Sequence, residues 1–286
     1  VGIIVSSWGG SSIETWIPRE VIAKDFPEFD LKFLDDPSIE VHNYQAPSLL
    51  FNGQVAPLVP YTFKGMIWYQ GETNRFRPAQ YIRLQTAYVQ AMRDIFQVPD
   101  APFYFAQIAP FKYGDGTNCE LGYFNEAQQK TLDCIPHSGM AVLCDIGEFG
   151  TIHPCEKRKV GQRLAYLAMR HDYGFDFLEA DAPLYTGVEF KEGKAYVSFS
   201  TGTGLSPMGC ELGGFEMAGA DKVYHKAVGE LSGKDNRVIV VSCAEVPEPV
   251  AVRYCFRDWS EGSVYNNYGI PVAPFRSDDW AREDVE

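Results

Sequence analysis

Short apolar runs and helically spaced apolar positions take turns along the first 172 residues. Residues 1–5 (Val-Gly-Ile-Ile-Val) read as a buried strand, and the run ends at Ser6-Ser7-Trp8-Gly9-Gly10, where the chain must turn. Pro18 opens a predicted helix over residues 19–24. Between Asp25 and Pro60, prolines at 27, 37, 47, 57 and 60 break any period, which predicts a long surface excursion with short helical pieces. A second strand follows at 65–69, then the polar turn Gln70-Gly71-Glu72-Thr73-Asn74. Pro78 starts the clearest helix: Tyr81, Leu84, Tyr88, Ala91, Met92, Ile95 and Phe96 fall three or four apart, on one face. Residues 102–108 form a third strand rich in aromatics, 125–134 a helix, and 139–145 a fourth strand. After His153-Pro154, Val160, Leu164, Leu167 and Ala168 mark another amphipathic helix.

Strands alternating with helices predict an α/β fold, a parallel sheet covered by helices on both faces. Beyond residue 172 the pattern changes. Residues 187–190, 194–199, 237–242 and 250–256 read as short strands separated by Gly, Lys and Asp, with turns at Gly193 and Gly233. This predicts an antiparallel region without helices and places a boundary between an α/β domain over 1–178 and a β-rich region over 179–286. No internal repeat or low-complexity segment interrupts either part.

The 286 residues suit one large domain with an appended smaller one, and 45% hydrophobic with 22% charged residues is a globular balance. A net charge of -13 repels phosphate backbones, so nucleic acid is excluded as a partner. It also repels an anionic sugar at distance, so a site for one needs local cations. No run of about 18 apolar residues is present to span a membrane. The opening Val1-Gly2-Ile3-Ile4-Val5, with no methionine and no basic segment, resembles the middle of a strand. Seven cysteines, at 119, 134, 144, 155, 210, 243 and 255, form no Cys-x-x-Cys pair, and the odd number leaves at least one thiol free. Five histidines, at 42, 137, 153, 171 and 225, have no ligand-like spacing. Neither a metal site nor a cofactor is predicted.

In an open α/β sheet, ligands meet the carboxyl ends of strands, and three loops there carry unusual chemistry. In Ser6–Gly10, two adjacent glycines let backbone N–H groups approach a ligand as an oxyanion hole requires; the plain alternative is a tight turn. In 68–74, Gln70 or Asn74 offers an amide N–H to an oxyanion, and Glu72 a carboxylate to orient the loop. The plain alternative there is a polar turn with Asn74 capping the next helix. The third loop, Gly147-Glu148-Phe149-Gly150-Thr151-Ile152-His153-Pro154, presents the side chain best suited to proton transfer near neutral pH. His153 differs from the other four histidines in sharing a strand-end position with the two other loops. Arg75 and Arg77 could meet a carboxylate, and Trp8, Trp16 and Trp68 the face of a sugar, although such residues are as readily surface and core.

Taken in order, Ser7-Trp8-Gly9-Gly10 with Ile13-Glu14-Thr15-Trp16, Gly65-Met66-Ile67-Trp68-Tyr69-Gln70-Gly71-Glu72-Thr73-Asn74, Pro102-Phe103-Tyr104-Phe105-Ala106-Gln107, Glu126-Ala127-Gln128 and Ile152-His153-Pro154 form a recognisable set. Ala251-Val252-Arg253-Tyr254 and Pro271-Val272-Ala273-Pro274-Phe275-Arg276-Ser277-Asp278 continue it. With these segments the chain resembles the sialate O-acetylesterase family of the SGNH hydrolases. The resemblance implies a flavodoxin-like sheet, incomplete at its N-terminal side, with an antiparallel β region following it. It implies a serine esterase removing O-acetyl groups from sugars, sialic acid above all, without a cofactor and in a secreted or periplasmic setting. His153 matches the general base, Gly9 or Gly10 the glycine donor of the oxyanion hole, and Gln70 or Asn74 the amide donor. Arg75 and Trp8 are the substrate-binding candidates.

Two departures from the family pattern matter. The nucleophile's Gly-Gln-Ser-Asn type motif is absent; Gly53-Gln54 and Gly161-Gln162 are followed by Val55 and Arg163. A base without a nucleophile cannot run the acyl-enzyme route, so this polypeptide alone is expected to be inactive. The missing strand would also leave sheet edges open, so an upstream segment of the same protein or a second copy is the expected partner. Second, Gly150 stands where many SGNH enzymes have an aspartate. The imidazole then needs the Gly150 carbonyl, Asp145 or Glu148 to fix its tautomer, with the carbonyl preferred. An esterase for another sugar such as xylan and a non-catalytic carbohydrate-binding protein are the alternative readings.

Overall fold

The computed structural model describes residues 2–36, 38–41, 44–209 and 211–282; Val1, Pro37, His42 and Cys210, named above, lie outside the described residues. The first elements are α1 (Arg19–Asp25), β1 (Met66–Tyr69), α2 (Pro78–Ile95), β2 (Phe103–Ala106), α3 (Glu120–Cys134), β3 (Ser138–Ala141) and α4 (Lys157–Asp172). Among the described residues, the excursion before β1 holds only short turns of helix, at Lys32–Leu34, Phe51–Val55 and Ala56–Leu58. Strands β4 (Tyr185–Lys191), β5 (Lys194–Phe199), β6 (Leu205–Ser206), β7 (Leu212–Ala218), β8 (Tyr224–Leu231), β9 (Val238–Ser242), β10 (Ala251–Tyr254), β11 (Tyr265–Asn266) and β12 (Phe275–Arg276) complete the chain.

The chain divides into two compact units, residues 1–108 with 127–139 and residues 109–126 with 140–286. In the first, Pro78 occupies the first turn of α2, where its missing N–H costs no helical bond. The predicted stripe is buried: Tyr81, Leu84, Tyr88, Ala91 and Met92 face inward. Trp68 of β1 packs its ring 4.5 Å from Tyr88 and edge-on to Trp16 at 6.2 Å. Strands β1 and β2 pair in parallel, Met66 opposite Phe103 through Tyr69 opposite Ala106.

In the second unit seven strands follow the order β12-β10-β7-β8-β9-β5-β4, and each adjacent pair is antiparallel. The sheet curls until its ends nearly meet. Tyr185 of β4 stacks on Phe275 of β12 with centroids 4.7 Å apart and planes 3° apart, and the Ala273 N–H donates to the Pro183 carbonyl at 3.1 Å. Alternation in β5 is clean, with Ala195, Val197 and Phe199 inward and Lys194, Tyr196 and Ser198 outward.

This overturns the expected flavodoxin-like parallel sheet with helices on both faces. The parallel sheet has three strands, in the order β1-β2-β3, and the dominant sheet is the nearly closed antiparallel one. One physical reason lies at residues 1–5, where no strand forms among the described residues. Ile3, Ile4 and Val5 stand 79%, 48% and 77% exposed, because an extended run becomes a strand only when a neighbour accepts its backbone hydrogen bonds. The other reason lies at β7 and β8, whose glycines masked two long strands. Gly214 sits at φ +85° beside a register shift in the β7–β8 ladder, a bulge that breaks the period-two pattern.

Candidate active site

In the first unit, residues 6–12 run without helix or strand and enter a tight helical turn at Ile13–Trp16. Gly10 adopts φ +72°, a conformation that favours glycine, and a Cβ there would stand 3.0 Å from the Tyr44 hydroxyl oxygen. The Gly10 carbonyl accepts from Gln45 Nε2 at 2.8 Å and Thr73 Oγ1 at 3.0 Å. The Gly9 and Gly10 N–H groups donate to nothing among the described residues.

Beneath this loop lies a closed polar network. Asn74, wholly buried, accepts at Oδ1 from the Ile13 N–H at 3.0 Å and Gln70 Nε2 at 2.7 Å, and donates from Nδ2 to Glu14 at 2.8 Å. Gln70 Nε2 also donates to the Ser11 carbonyl at 3.0 Å, and its Oε1 accepts from the Tyr81 hydroxyl at 3.1 Å. The Glu14 carboxylate, buried, is closed off by Arg77 at 2.7 Å. Ser11 Oγ donates to the Trp8 carbonyl at 2.8 Å and accepts from Trp16 Nε1 at 2.9 Å. Both N–H groups of Gln70 are thereby engaged with protein acceptors. The network joins the 70–74 turn to the glycine loop; Ser11 and Glu14 belong to it although the sequence reading gave them no role, Tyr81 was read only as part of the apolar helix face, and Arg77, read as a carboxylate-binding candidate, meets the carboxylate of Glu14. Glu14 carried a signal, as a lone charge in the otherwise apolar Ile13-Glu14-Thr15-Trp16.

Glu72, in the turn at Glu72–Asn74, offers its carbonyl to Arg75 Nη1 at 3.2 Å, and the Arg75 guanidinium lies 3.8 Å over the Phe76 ring. Trp8 is half exposed and pairs with exposed Tyr44, centroids 5.8 Å apart. The two rings and Gly9 make an aromatic-edged surface.

In the second unit His153 is exposed, and its ring has no hydrogen-bond partner among the described residues. Its backbone N–H donates to Thr151 Oγ1 at 3.2 Å. Glu148 pairs with Thr151 in an isolated bridge and accepts from the Cys155 N–H at 2.6 Å, pinching the loop on both sides of His153. That backbone hydrogen bond, aided by the Cys155 thiol, holds the Glu148 carboxyl below its ordinary range. Gly147 is forced: a Cβ there would meet the Pro110 carbonyl oxygen at 2.3 Å. Asp145 is buried and bidentate to Arg163, both contacts 2.7 Å, with Arg163 also bonded to the Val142 carbonyl at 2.7 Å. Arg163 was overlooked because it sits among the apolar positions Val160, Leu164 and Leu167 of α4, where an arginine looks like a break in the pattern.

The first unit thus gathers Gly10, Gln70 and Asn74 into one hydrogen-bonded set, and the second carries Asp145, Glu148, Gly150 and His153 on one loop. A family model described as a carbohydrate esterase, sialic acid-specific acetylesterase, matches residues 1–170, which include all of these positions. The chain belongs to this family. Among its relatives, the sialate O-acetylesterase of Mus musculus is 24% identical over 326 residues, covering 96% of this chain and 60% of that protein. The Homo sapiens sialate O-acetylesterase is 26% identical over 266 residues, covering 85% and 45% respectively. A carbohydrate acetylesterase from Xanthomonas citri of known crystal structure aligns with TM-score 0.81 and 35% identity over 96% of this chain and 60% of that one. The chain therefore spans 60% or less of the length of each of these relatives. No helix among the described residues is long and apolar enough to cross a membrane.

Proposed function

We propose that this chain is the base-bearing part of a carbohydrate esterase that hydrolyses O-acetyl esters of sialic acid-type sugars. The family match over residues 1–170 carries the reading. His153 is the general base, and its unengaged ring is free to take a proton from a nucleophile. The Gly9 and Gly10 N–H groups receive the oxyanion; their lack of internal acceptors and the positive φ at Gly10 support this role. Gln70 and Asn74 act one step back, setting the height of that loop through bonds that already occupy them. With Asp145 committed to Arg163 and Glu148 to the Cys155 N–H, the Gly150 carbonyl is the orienting acceptor kept in the proposal. Arg75 offers the cation for a sialate carboxylate and Trp8 a face for the sugar ring.

No Gly-Gln-Ser triplet occurs in these 286 residues, and in this proposal a partner segment supplies the serine. Two features support the docking of such a strand: Ile3, Ile4 and Val5 are exposed, and β1, at one end of the three-stranded sheet, leaves Ile67 68% exposed. The test compares acetate release from acetylated sialic acid and acetylated xylan by this chain and by the complete gene product. Release from the sialic acid ester by the complete product alone is expected. Robust turnover by the 286-residue chain, or preference for xylan, overturns the reading.

A further inference from the structure

The loop that carries His153 is curved by bonds internal to it, the Glu148–Thr151 bridge and the Glu148 contact to the Cys155 N–H. Bonds of that kind set the shape of a loop but not where it stands on the body of the unit. Phe149, beside Glu148 and 47% exposed, makes the outward contacts, to two side chains distant in sequence but in the same unit. Trp259 meets the Phe149 ring edge-on, with centroids 5.4 Å apart and planes at 80°. Lys112 Nζ lies 4.7 Å over the same ring.

Trp259 is itself firmly mounted. It lies beyond the end of β10, on a segment laced to residues 111–121. The Phe111 N–H donates to the Asp258 carbonyl at 3.0 Å, the Asp258 N–H to the Asn118 carbonyl at 2.7 Å, and the Trp259 N–H to the Gly116 carbonyl at 3.1 Å. The buried Asp258 carboxylate accepts from the Leu121 N–H, in the first turn of α3, at 2.9 Å. Gly116, at φ +86°, lets the two segments close: a Cβ there would stand 2.9 Å from Trp259 Cβ.

We infer that Trp259 is a positioning residue for the proposed base: through Phe149 it holds the His153 loop against its unit and so sets where the imidazole stands. The inference rests on the role proposed above for His153. Phe149 lies four residues before His153, in a loop that the Glu148–Thr151 bridge draws together, so a shift of its ring is passed to the imidazole. Proton transfer needs the base within hydrogen-bond reach of its partner, so small misplacements cost rate steeply. Holding the loop by a ring contact also leaves both imidazole nitrogens unengaged, as a base requires. Trp259 stands outside residues 1–170, the span that the family model matches, so the segment after β10 adds a part to the site that this match does not include.

The test places Trp259→Ala, Trp259→Phe and Phe149→Ala in the complete gene product and in the 286-residue chain. With an acetylated sialic acid as substrate, Trp259→Ala in the complete product should lower kcat about 30-fold and leave KM within about twofold. Trp259→Phe keeps a ring against Phe149 and should recover kcat to within about threefold of the unaltered enzyme. Phe149→Ala should match Trp259→Ala, and the double variant should be no worse than either, because both remove the same contact. In the chain, Trp259→Ala should speed hydrogen exchange of the His153 and Cys155 amides by about tenfold or more and leave β5 and β9 unchanged. Unchanged kcat, additive losses in the double variant, or faster exchange spread through β5 and β9 overturns the inference. If the unaltered complete product releases no acetate, it is the functional reading that fails, and the exchange measurement still decides whether Trp259 holds the loop. Should Trp259→Ala not fold, Phe149→Ala, at a half-exposed position, removes the same contact and decides the matter.

Discussion

The glycine loop and the His153 loop solve the same problem, holding a loop in a fixed place, by opposite means. Around Gly10 the polar groups of Ser11, Glu14, Gln70, Asn74, Arg77 and Tyr81 satisfy one another in a buried chain of contacts. The proposed working groups, two backbone N–H groups, stand on top of that chain. Around His153 the supports are peripheral: Asp145–Arg163 anchors the entry, Glu148 clamps the Cys155 N–H at the exit, and the imidazole itself is unheld. A fully satisfied buried network is rigid and suits a site that must not move as charge develops. A base that moves a proton has to exchange partners, and a peripheral clamp leaves it that freedom.

Replacing Asn74 by alanine tests the first half most severely. It strips partners from the Ile13 N–H, Gln70 and Glu14 at once, and should cost about 4 kcal/mol in urea-monitored stability. A loss below about 1 kcal/mol would mean that the network is not what holds the loop. Asp145→Asn comes next. It leaves Arg163 charged and buried without a counter-ion, and about 3 kcal/mol should be lost by the same measurement. Glu148→Gln should have a smaller, local effect, read by NMR at the Cys155 amide. In the unaltered chain the Glu148 carboxyl is held low by that amide. Its contribution is therefore complete above the ordinary glutamate pKa of about 4.3 and fades as pH falls through the lower folded value. The Cys155 amide shift should titrate with a midpoint below that ordinary value, and the variant should be flat. His153→Ala should leave stability within about 0.5 kcal/mol, since the residue is exposed and its ring has no hydrogen-bond partner among the described residues. In the proposed esterase the same change should cost on the order of a thousandfold in kcat. A large stability loss instead would make His153 a structural residue.

Much of the first half was legible because its signals are local. Pro78 and the spacing from Tyr81 onward placed α2 to within a residue of its observed end. Strands β1 and β2 fell inside the predicted runs 65–69 and 102–108. The three chemical loops stood out as polar, glycine-bearing interruptions of the apolar pattern, although the first of them follows no strand among the described residues. What escaped was non-local. Whether residues 1–5 form a strand depends on a neighbour, which no property of five residues reports. The engagement of Gln70 by Ser11 joins positions 59 residues apart and has no periodic trace. In β8, Gly229 faces inward because a Cβ there would press to 2.8 Å from the Phe215 ring. A glycine in that role reads as a turn until its cross-strand partner is known.

The meeting of Tyr185 with Phe275 fixes when this half of the molecule can be finished. The first strand of the large sheet and its last stand at opposite ends of the strand order, so the ring of strands cannot shut until residue 276 has left the ribosome. Through most of synthesis the earlier strands wait with an open flank, and assembly depends on contacts distant in sequence, the slow and aggregation-exposed regime of folding.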